Sequence, residues 1–365
     1  MWVLRGLRNG VVTTRWPKRP DPYADNWRGP ATVRDPRPTN TDGLDQICPT
    51  GAITTETAKT ARPNGSVMTA SVRLDQGRCI LCGHCVAARP DVFAWSAGAA
   101  AAALTRGGLV VPLIPETDEN LASVRRGLRE RTAALRRSVH LRHVDAGSDG
   151  TEEWEILALL NPVYDVHRLG IFFTASPRHA DVLLVTGAGA KGMTEPLRRT
   201  YDAMPHPKVV IAVGTDAVSG GLVSPSYATT GGVGGTAQSV GGRSGDRSPP
   251  VVSDPRIHPA VSATPEEGAF SPSSPTPNPE ISGFGRGGEA DPEISGFGEG
   301  VCGGVGESVP EARGVPVDVW LPGSPPSPFG ILHALLLALG RLPGGGVSAG
   351  RTGREGRTVS EGRER

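Results

Sequence analysis

The chain has 365 residues, enough for two or three domains. Its 50 glycines, 34 prolines and 5 % aromatic content imply that a large part never packs into a core, and a formal net charge of +1 gives no global attraction to nucleic acid. The start, Met1-Trp2-Val3-Leu4-Arg5, lacks the long apolar stretch of a signal peptide, and no run approaches the roughly 20 apolar residues of a membrane span. The best candidate, Phe329 to Leu339, is too short and reads as a buried helix. An intracellular protein is expected.

Residues 1–35 are rich in arginine and proline, as in Arg15-Trp16-Pro17-Lys18-Arg19-Pro20-Asp21-Pro22, which excludes a long helix. They read as an extended arm. Trp2, Trp16 and Trp27 would anchor it on a partner surface or fold back on their own domain.

Residues 36–97 carry four of the five cysteines. The run Cys79-Ile80-Leu81-Cys82-Gly83-His84-Cys85-Val86-Ala87-Ala88-Arg89-Pro90 has the bacterial ferredoxin spacing C-x2-C-x2-C-x3-C-P, with Arg89 in place of the last cysteine. Upstream, Cys48-Pro49 is the tail of a second such motif whose three earlier ligand positions hold Pro38, Thr41 and Leu44. One cluster has thus lost all its ligands, at 38, 41, 44 and 89, while Cys48, Cys79, Cys82 and Cys85 remain as a complete set for one [4Fe–4S] cluster. Cubane iron needs soft thiolates, and two-residue gaps bring successive thiolates to adjacent corners. Zinc on four cysteines is the competing reading, although zinc usually takes two separated C-x2-C pairs. A disulfide fits less well, since nothing suggests export. The stretch 66–75 has strand character.

Residues 98–137 read as a connector. Its stretch 116–137, with leucine every seven residues at Leu121, Leu128 and Leu135 and many arginines, reads as an exposed amphipathic helix whose basic face meets solvent. From 138 an α/β pattern begins: strands at 139–144, 180–187 and 208–214, with a helix at 196–204. Short buried strands alternating with helices imply a mostly parallel sheet, with any ligand beyond the strand C-terminal ends, near Gly187 and Gly214. Gly187-Ala188-Gly189-Ala190-Lys191-Gly192 superficially suggests a phosphate loop but lacks the full pattern. Arg178-His179 and His167-Arg168 would cap turns or face a partner.

Residues 231–313 break the pattern with glycine, proline and serine and a near repeat at 279–285 and 292–298, which reads as a disordered insertion. It holds the fifth cysteine, Cys302, expected to be a free thiol without a role. The α/β domain resumes over 314–342 with a strand near Val315–Gly323 and a helix over 328–341; residues 343–365 read as a disordered tail. The fold class is therefore α/β: a small N-terminal ferredoxin-like α+β domain, then a mostly parallel-sheet α/β domain interrupted by the insertion.

Three runs are similar to the small, cluster-bearing 20 kDa subunit of NADH-quinone oxidoreductase (NADH dehydrogenase) and its relatives in formate hydrogenlyase and membrane-bound [NiFe] hydrogenases. They are 169–187 (Leu-Gly-Ile-Phe-Phe-Thr-Ala-Ser-Pro-Arg-His-Ala-Asp-Val-Leu-Leu-Val-Thr-Gly), 211–221 (Ile-Ala-Val-Gly-Thr-Asp-Ala-Val-Ser-Gly-Gly) and 322–326 (Pro-Gly-Ser-Pro-Pro). Residues 1–97 resemble the ferredoxin-like subunit of the same complexes, so the chain looks like two electron-transfer subunits fused. The resemblance implies a second [4Fe–4S] site at the strand ends, but its cysteine positions hold Asp149, Glu152, Asp216 and Ser324. No cluster is expected there. The vacancy is either a hard-metal site for Mg²⁺ or Ca²⁺ or a polar, water-filled cavity, and close carboxylates without a cation should raise at least one pKa.

The resemblance further implies a large-subunit partner, one that binds quinone or nickel in the family. It implies a cytoplasmic location, peripheral on the inner face of the cell membrane, with membrane association only through partner subunits. The expected function is electron transfer through one cluster without bond chemistry. A non-redox assembly scaffold and a soluble redox sensor are the rivals.

Overall fold

The structure, a computed structural model, describes residues 2–19, 27–62, 65–112, 118–135, 138–223, 226–234 and 314–342. The chain divides into two units, Met1–Asp246 with Glu311–Arg365, and Arg247–Pro310. The second unit, the internal repeat, Cys302 and the tail lie outside the described residues.

Within the first unit, a short helix α1 (Trp2–Asn9) precedes strand β1 (Arg28–Val33). A long hairpin follows, β2 (Ile53–Arg62) with β3 (Gly65–Asp75), then helix α2 (His84–Ala88) and strand β4 (Phe93–Ala97). β1 pairs antiparallel with β4, and β5 (Val110–Val111) extends the hairpin sheet beside β3. β1 falls in the segment read from sequence as an arm. Trp16 and Trp27 fold back edge-on against Phe329, with ring centroids 6.1 and 5.5 Å away. These two tryptophans serve their own domain because an indole buried at home needs no partner.

The core of this lobe is small: Ala31, Leu44, Ile53, Val72, Leu74, Val92 and Phe93, with the cysteines Cys79 and Cys85 among them. A core of this size is marginal on its own.

The second lobe holds helix α3 (Asp118–Thr132), β6 (Val139–Asp145), α4 (Thr151–Ala158), β7 (Ile171–Phe173) and β8 (Val182–Thr186). It continues with α5 (Thr194–Ala203), β9 (Val209–Val213), α6 (Thr215–Ser219), β10 (Val319–Leu321) and α7 (Pro328–Ala338). The five strands form one parallel sheet in the order β10-β9-β8-β6-β7. The α/β expectation is met. Alternate residues of each strand go to opposite faces; β8, β9 and β10 are buried on both, which is why they are almost wholly apolar, whereas β6 alternates, with Val139, Leu141 and Val144 buried and His140, Arg142 and His143 half-buried. Val182, Leu184, Val209, Ile211 and Leu321 meet Leu128 of α3, Ile156 of α4 and the apolar α7. Leu183, Val185, Val210, Ala212 and Trp320 meet Leu197 of α5 and Ala217 and Val218 of α6.

The leucine seam of the connector faces this core: Leu128 and Leu135 are buried and Leu121 packs partly against them. Helix α4 and strand β7 were not foreseen. The expected insertion also begins later than composition suggests, because Val233 is buried in the second cluster and its N–H bonds to the Ala217 carbonyl at 2.9 Å. The phosphate-like turn is filled by its own chain: a Cβ on Gly187, at φ +86°, would lie 2.5 Å from the backbone of Gly147 and Ser148.

Candidate functional site

The cysteine loop is built by short-range constraints. Asp75, at the end of β3, accepts from the Gly77 N–H at 2.9 Å and takes a paired contact from Arg106 at 2.7 and 2.6 Å. A 3-10 turn then delivers Cys79. Leu81 and Gly83 adopt left-handed backbone, φ +61° and +79°, which folds the loop so that α2 can carry Cys85 inward. Leucine rarely accepts that conformation. Cys48 reaches the loop from the other side. Thr50 donates to the Arg78 carbonyl at 2.6 Å and lies 3.3 Å from Cys48 Sγ, while the Ala52 N–H donates to the same sulfur at 3.3 Å.

The four thiols form one electrostatic group. Burial pushes the Cys79 thiol up, and backbone N–H groups of Ala31 and Leu81 oppose the rise. Burial lifts Cys85 to about 11, with further repulsion from Cys79, Cys48 and Cys82. Cys79 and Cys85 are buried, Cys48 half-buried and Cys82 exposed. Without a cation, the buried Cys79 and Cys85 stay protonated; a metal that displaces the protons reverses the balance. Soft donors, amide N–H groups aimed at sulfur and mutual repulsion together fit an iron–sulfur cluster. Among the described residues, no three His, Cys, Asp or Glu side chains are set for a single metal ion. In a cubane each thiolate binds its own iron, so the sulfurs stand further apart than around one ion.

The positions read from sequence as vacated ligands of a second motif carry other contacts. Pro38 and Leu44 are buried, the latter in the lobe's core. Arg89 pairs with Asp91 at 2.8 Å and donates to the Asn40 carbonyl at 3.2 Å.

Beyond the C-terminal ends of the parallel strands, Asp149, Glu152 and Asp216 come together. Glu152, only 1 % exposed, presses its carboxylate on Gly214, where a Cβ would lie 2.5 Å from Oε1. Asp216 likewise packs on Gly221. Burial, helped by Asp216 and Asp149, lifts Glu152 to about 7, and burial then Asp149 raise Asp216. Repulsion alone would not account for this; burial is the larger cause. Asp149 moves down because Thr151 donates to it through its hydroxyl at 2.6 Å and its N–H at 3.0 Å. Ser324 is exposed in the loop after β10.

Two features of this region carry no sequence signal. The first is a polar network at the ends of β6 and β8, where the strand order reverses. Glu153 accepts from Ser148 Oγ at 2.8 Å and from the Thr186 hydroxyl, and His143 Nε2 lies 3.0 Å from Thr186 Oγ1. Burial lowers the His143 pKa, against the opposing pull of Glu153. This network pins the start of α4 and so aims Glu152 at Gly214.

The second is Thr215, fully buried at the start of α6. Its hydroxyl donates to the Cys79 carbonyl at 2.9 Å and accepts from the Gly323 N–H at 3.1 Å. One side chain therefore ties the cysteine loop, the carboxylate pocket and the 322–326 loop together. Thr215→Val keeps the shape but leaves a buried carbonyl without its donor. It should cost about 1–3 kcal/mol in a thermal melt, with Thr215→Ser restoring most of the loss.

The chain matches the family described as NADH ubiquinone oxidoreductase, 20 Kd subunit, over residues 150–338. It is 38 % identical over 125 residues to formate hydrogenlyase subunit 7 of Escherichia coli, covering 34 % of this chain and 47 % of that protein. It is 40 % identical over 104 residues to a probable membrane-bound hydrogenase subunit of Pyrococcus furiosus, covering 27 % and 62 %. It is 49 % identical over 79 residues to an NADH-quinone oxidoreductase subunit of Desulfovibrio desulfuricans, covering 22 % and 43 %. The chain thus spans roughly half the length of these relatives.

Proposed function

Since the chain belongs to the NADH ubiquinone oxidoreductase 20 kDa subunit family, we propose that it is an electron-carrying subunit of a hydrogenase- or NADH-quinone-oxidoreductase-like complex. In this reading Cys48, Cys79, Cys82 and Cys85 hold one [4Fe–4S] cluster in a fused ferredoxin-like lobe. The strand-end site has exchanged its thiolates for Asp149, Glu152, Asp216 and Ser324 and carries no cluster. When bound, the cluster supplies one-electron transfer. The residues around it do the rest: the N–H groups of Ala52 and Leu81 stabilise thiolate charge, Asp75 and Arg106 lock the loop, and Thr215 fixes its position on the α/β lobe. A large subunit is the natural partner, and association with a membrane is peripheral: no helix among the described residues is long and apolar enough to cross one.

The observation that carries this reading is the gathering of the four thiols in one loop system with amide donors on the sulfurs. The Thr215 contact also favours a second reading, a non-redox scaffold in which the cluster merely braces the joint between lobes. Iron and sulfide analysis after anaerobic reconstitution, with EPR of the dithionite-reduced protein, separates them. About four irons and a reversible S = ½ signal support the electron carrier. Four irons that never accept an electron leave the scaffold, about eight would mean the strand-end site also binds a cluster, and zinc in place of iron would overturn both cluster readings.

A further inference from the structure

The segment before the first lobe has a property the electron-transfer reading does not use. Residues 1–19 contain Arg5, Arg8, Arg15, Lys18 and Arg19 and no acidic residue, and all five cations are exposed. On α1, Leu4 and Leu7 lie one turn apart and are 69 % and 75 % exposed. Val11 and Val12 continue the apolar surface just beyond Gly10, whose φ of +67° ends the helix. The segment is not loose at its far end: Thr13 Oγ1 donates to the Pro162 carbonyl at 2.7 Å, the Thr14 N–H to the Val163 carbonyl at 2.8 Å, and Arg168 to the Trp16 carbonyl at 2.5 Å. This anchor ties the strap to the segment after α4 at Pro162 and Val163; Val163 is itself exposed, as are Trp154, Leu157 and Leu160.

We propose that α1 and the strap behind it lie on an anionic lipid surface, with Leu4, Leu7, Val11 and Val12 in the interface and the five cations against lipid phosphates. A short amphipathic helix with leucines on one side and only positive charge beside them has the chemistry of an interfacial segment, not of a spanning one. The charge decides the occupant. Five cations without one carboxylate complement a uniformly negative surface, and each basic residue near such a surface strengthens binding about fivefold. The chain thus touches the membrane directly, in addition to any contact made through partner subunits, and it does so whatever cluster the cysteines hold.

Flotation of the full chain with phosphatidylcholine vesicles, with and without phosphatidylglycerol, tests this. The chain should float with the anionic vesicles at low salt, release at high salt and ignore pure phosphatidylcholine. Arg5→Gln with Arg8→Gln should weaken binding about 25-fold. Leu4→Gln with Leu7→Gln keeps a good helix former and should abolish the binding that survives moderate salt. Failure to float on anionic vesicles, or flotation unchanged in both double variants, overturns the proposal. So does capture by membrane proteins with no binding to protein-free vesicles, which would assign this face to a protein.

Discussion

Cys79→Ala should leave the reconstituted chain without its cluster and without the reduced-state EPR signal, and should loosen the whole N-terminal lobe. Cys79 is a member of a small buried core, so two effects must be separated. Measured without iron, the substitution removes one buried sulfur and should cost about 1 kcal/mol. Measured with iron, it also removes a cross-link between Cys48 and the 79–85 loop, segments separated by the β2–β3 hairpin. Metal binding to a site that does not exist in the unfolded chain appears directly as folding free energy, so the iron-loaded difference should reach several kcal/mol. Hydrogen exchange offers the sharper view: protection in β1 and β4, which pack on Cys79 and Cys85 through Ala31 and Phe93, should drop in the variant and in the iron-free protein alike. The parallel sheet should be unaffected. Retention of four irons by Cys79→Ala would refute the ligand assignment.

Glu152→Gln should make the protein more stable at alkaline pH and leave it unchanged in acid. Burial and the carboxylates of Asp216 and Asp149 raise Glu152 from 4.5 to about 7 in the folded chain. An acid whose folded pKa is raised favours folding only while protonated. The wild type should therefore carry no penalty below about pH 4.5, lose stability as pH climbs to about 7, and hold the full penalty above that. At about 1.4 kcal/mol per unit the penalty is between about 3 and 4 kcal/mol at pH 8. Glutamine keeps the shape, and its amide N–H can donate to the Thr151 hydroxyl oxygen, which lies 3.2 Å from the Glu152 carboxylate and gives its own proton to Asp149. Its melting temperature should stay flat across the window in which the wild type falls. Asp216→Asn is the companion variant: removing one repelling charge should move the wild-type inflection to lower pH. Equal pH profiles for wild type and Glu152→Gln would mean that the carboxylate is solvated and the pocket open.

Most of the scaffold could be read from residue patterns because each pattern is local. β8 and β9 are uninterrupted apolar runs ended by Gly187 and Gly214, and a strand buried on both faces can hardly look otherwise. The leucines at 121, 128 and 135 marked a seam that does meet the core. The elements that escaped were short or camouflaged. β7 has three residues, and α4 begins with three polar residues whose helical state rests on tertiary contacts. β2, Ile53–Arg62, is rich in threonine and charge and lacks an apolar alternation; β3 pairs with it along its whole length.

The sequence by itself determined the chemistry on offer: four cysteines at a spacing suited to one cubane, a parallel α/β sheet, and carboxylates at 149, 152 and 216. Only the tertiary structure decided how those parts act on one another. It brought Asp216 across from a different strand end to Glu152, buried Glu152 against Gly214, and put a threonine between the cysteine loop and that pocket. It also turned Trp16 and Trp27 inward onto Phe329 and left Leu4 and Leu7 facing out. The reason is physical. Ligand type and strand periodicity are properties of neighbouring residues, whereas burial, repulsion and hydrogen bonding depend on groups that meet only when distant segments pack.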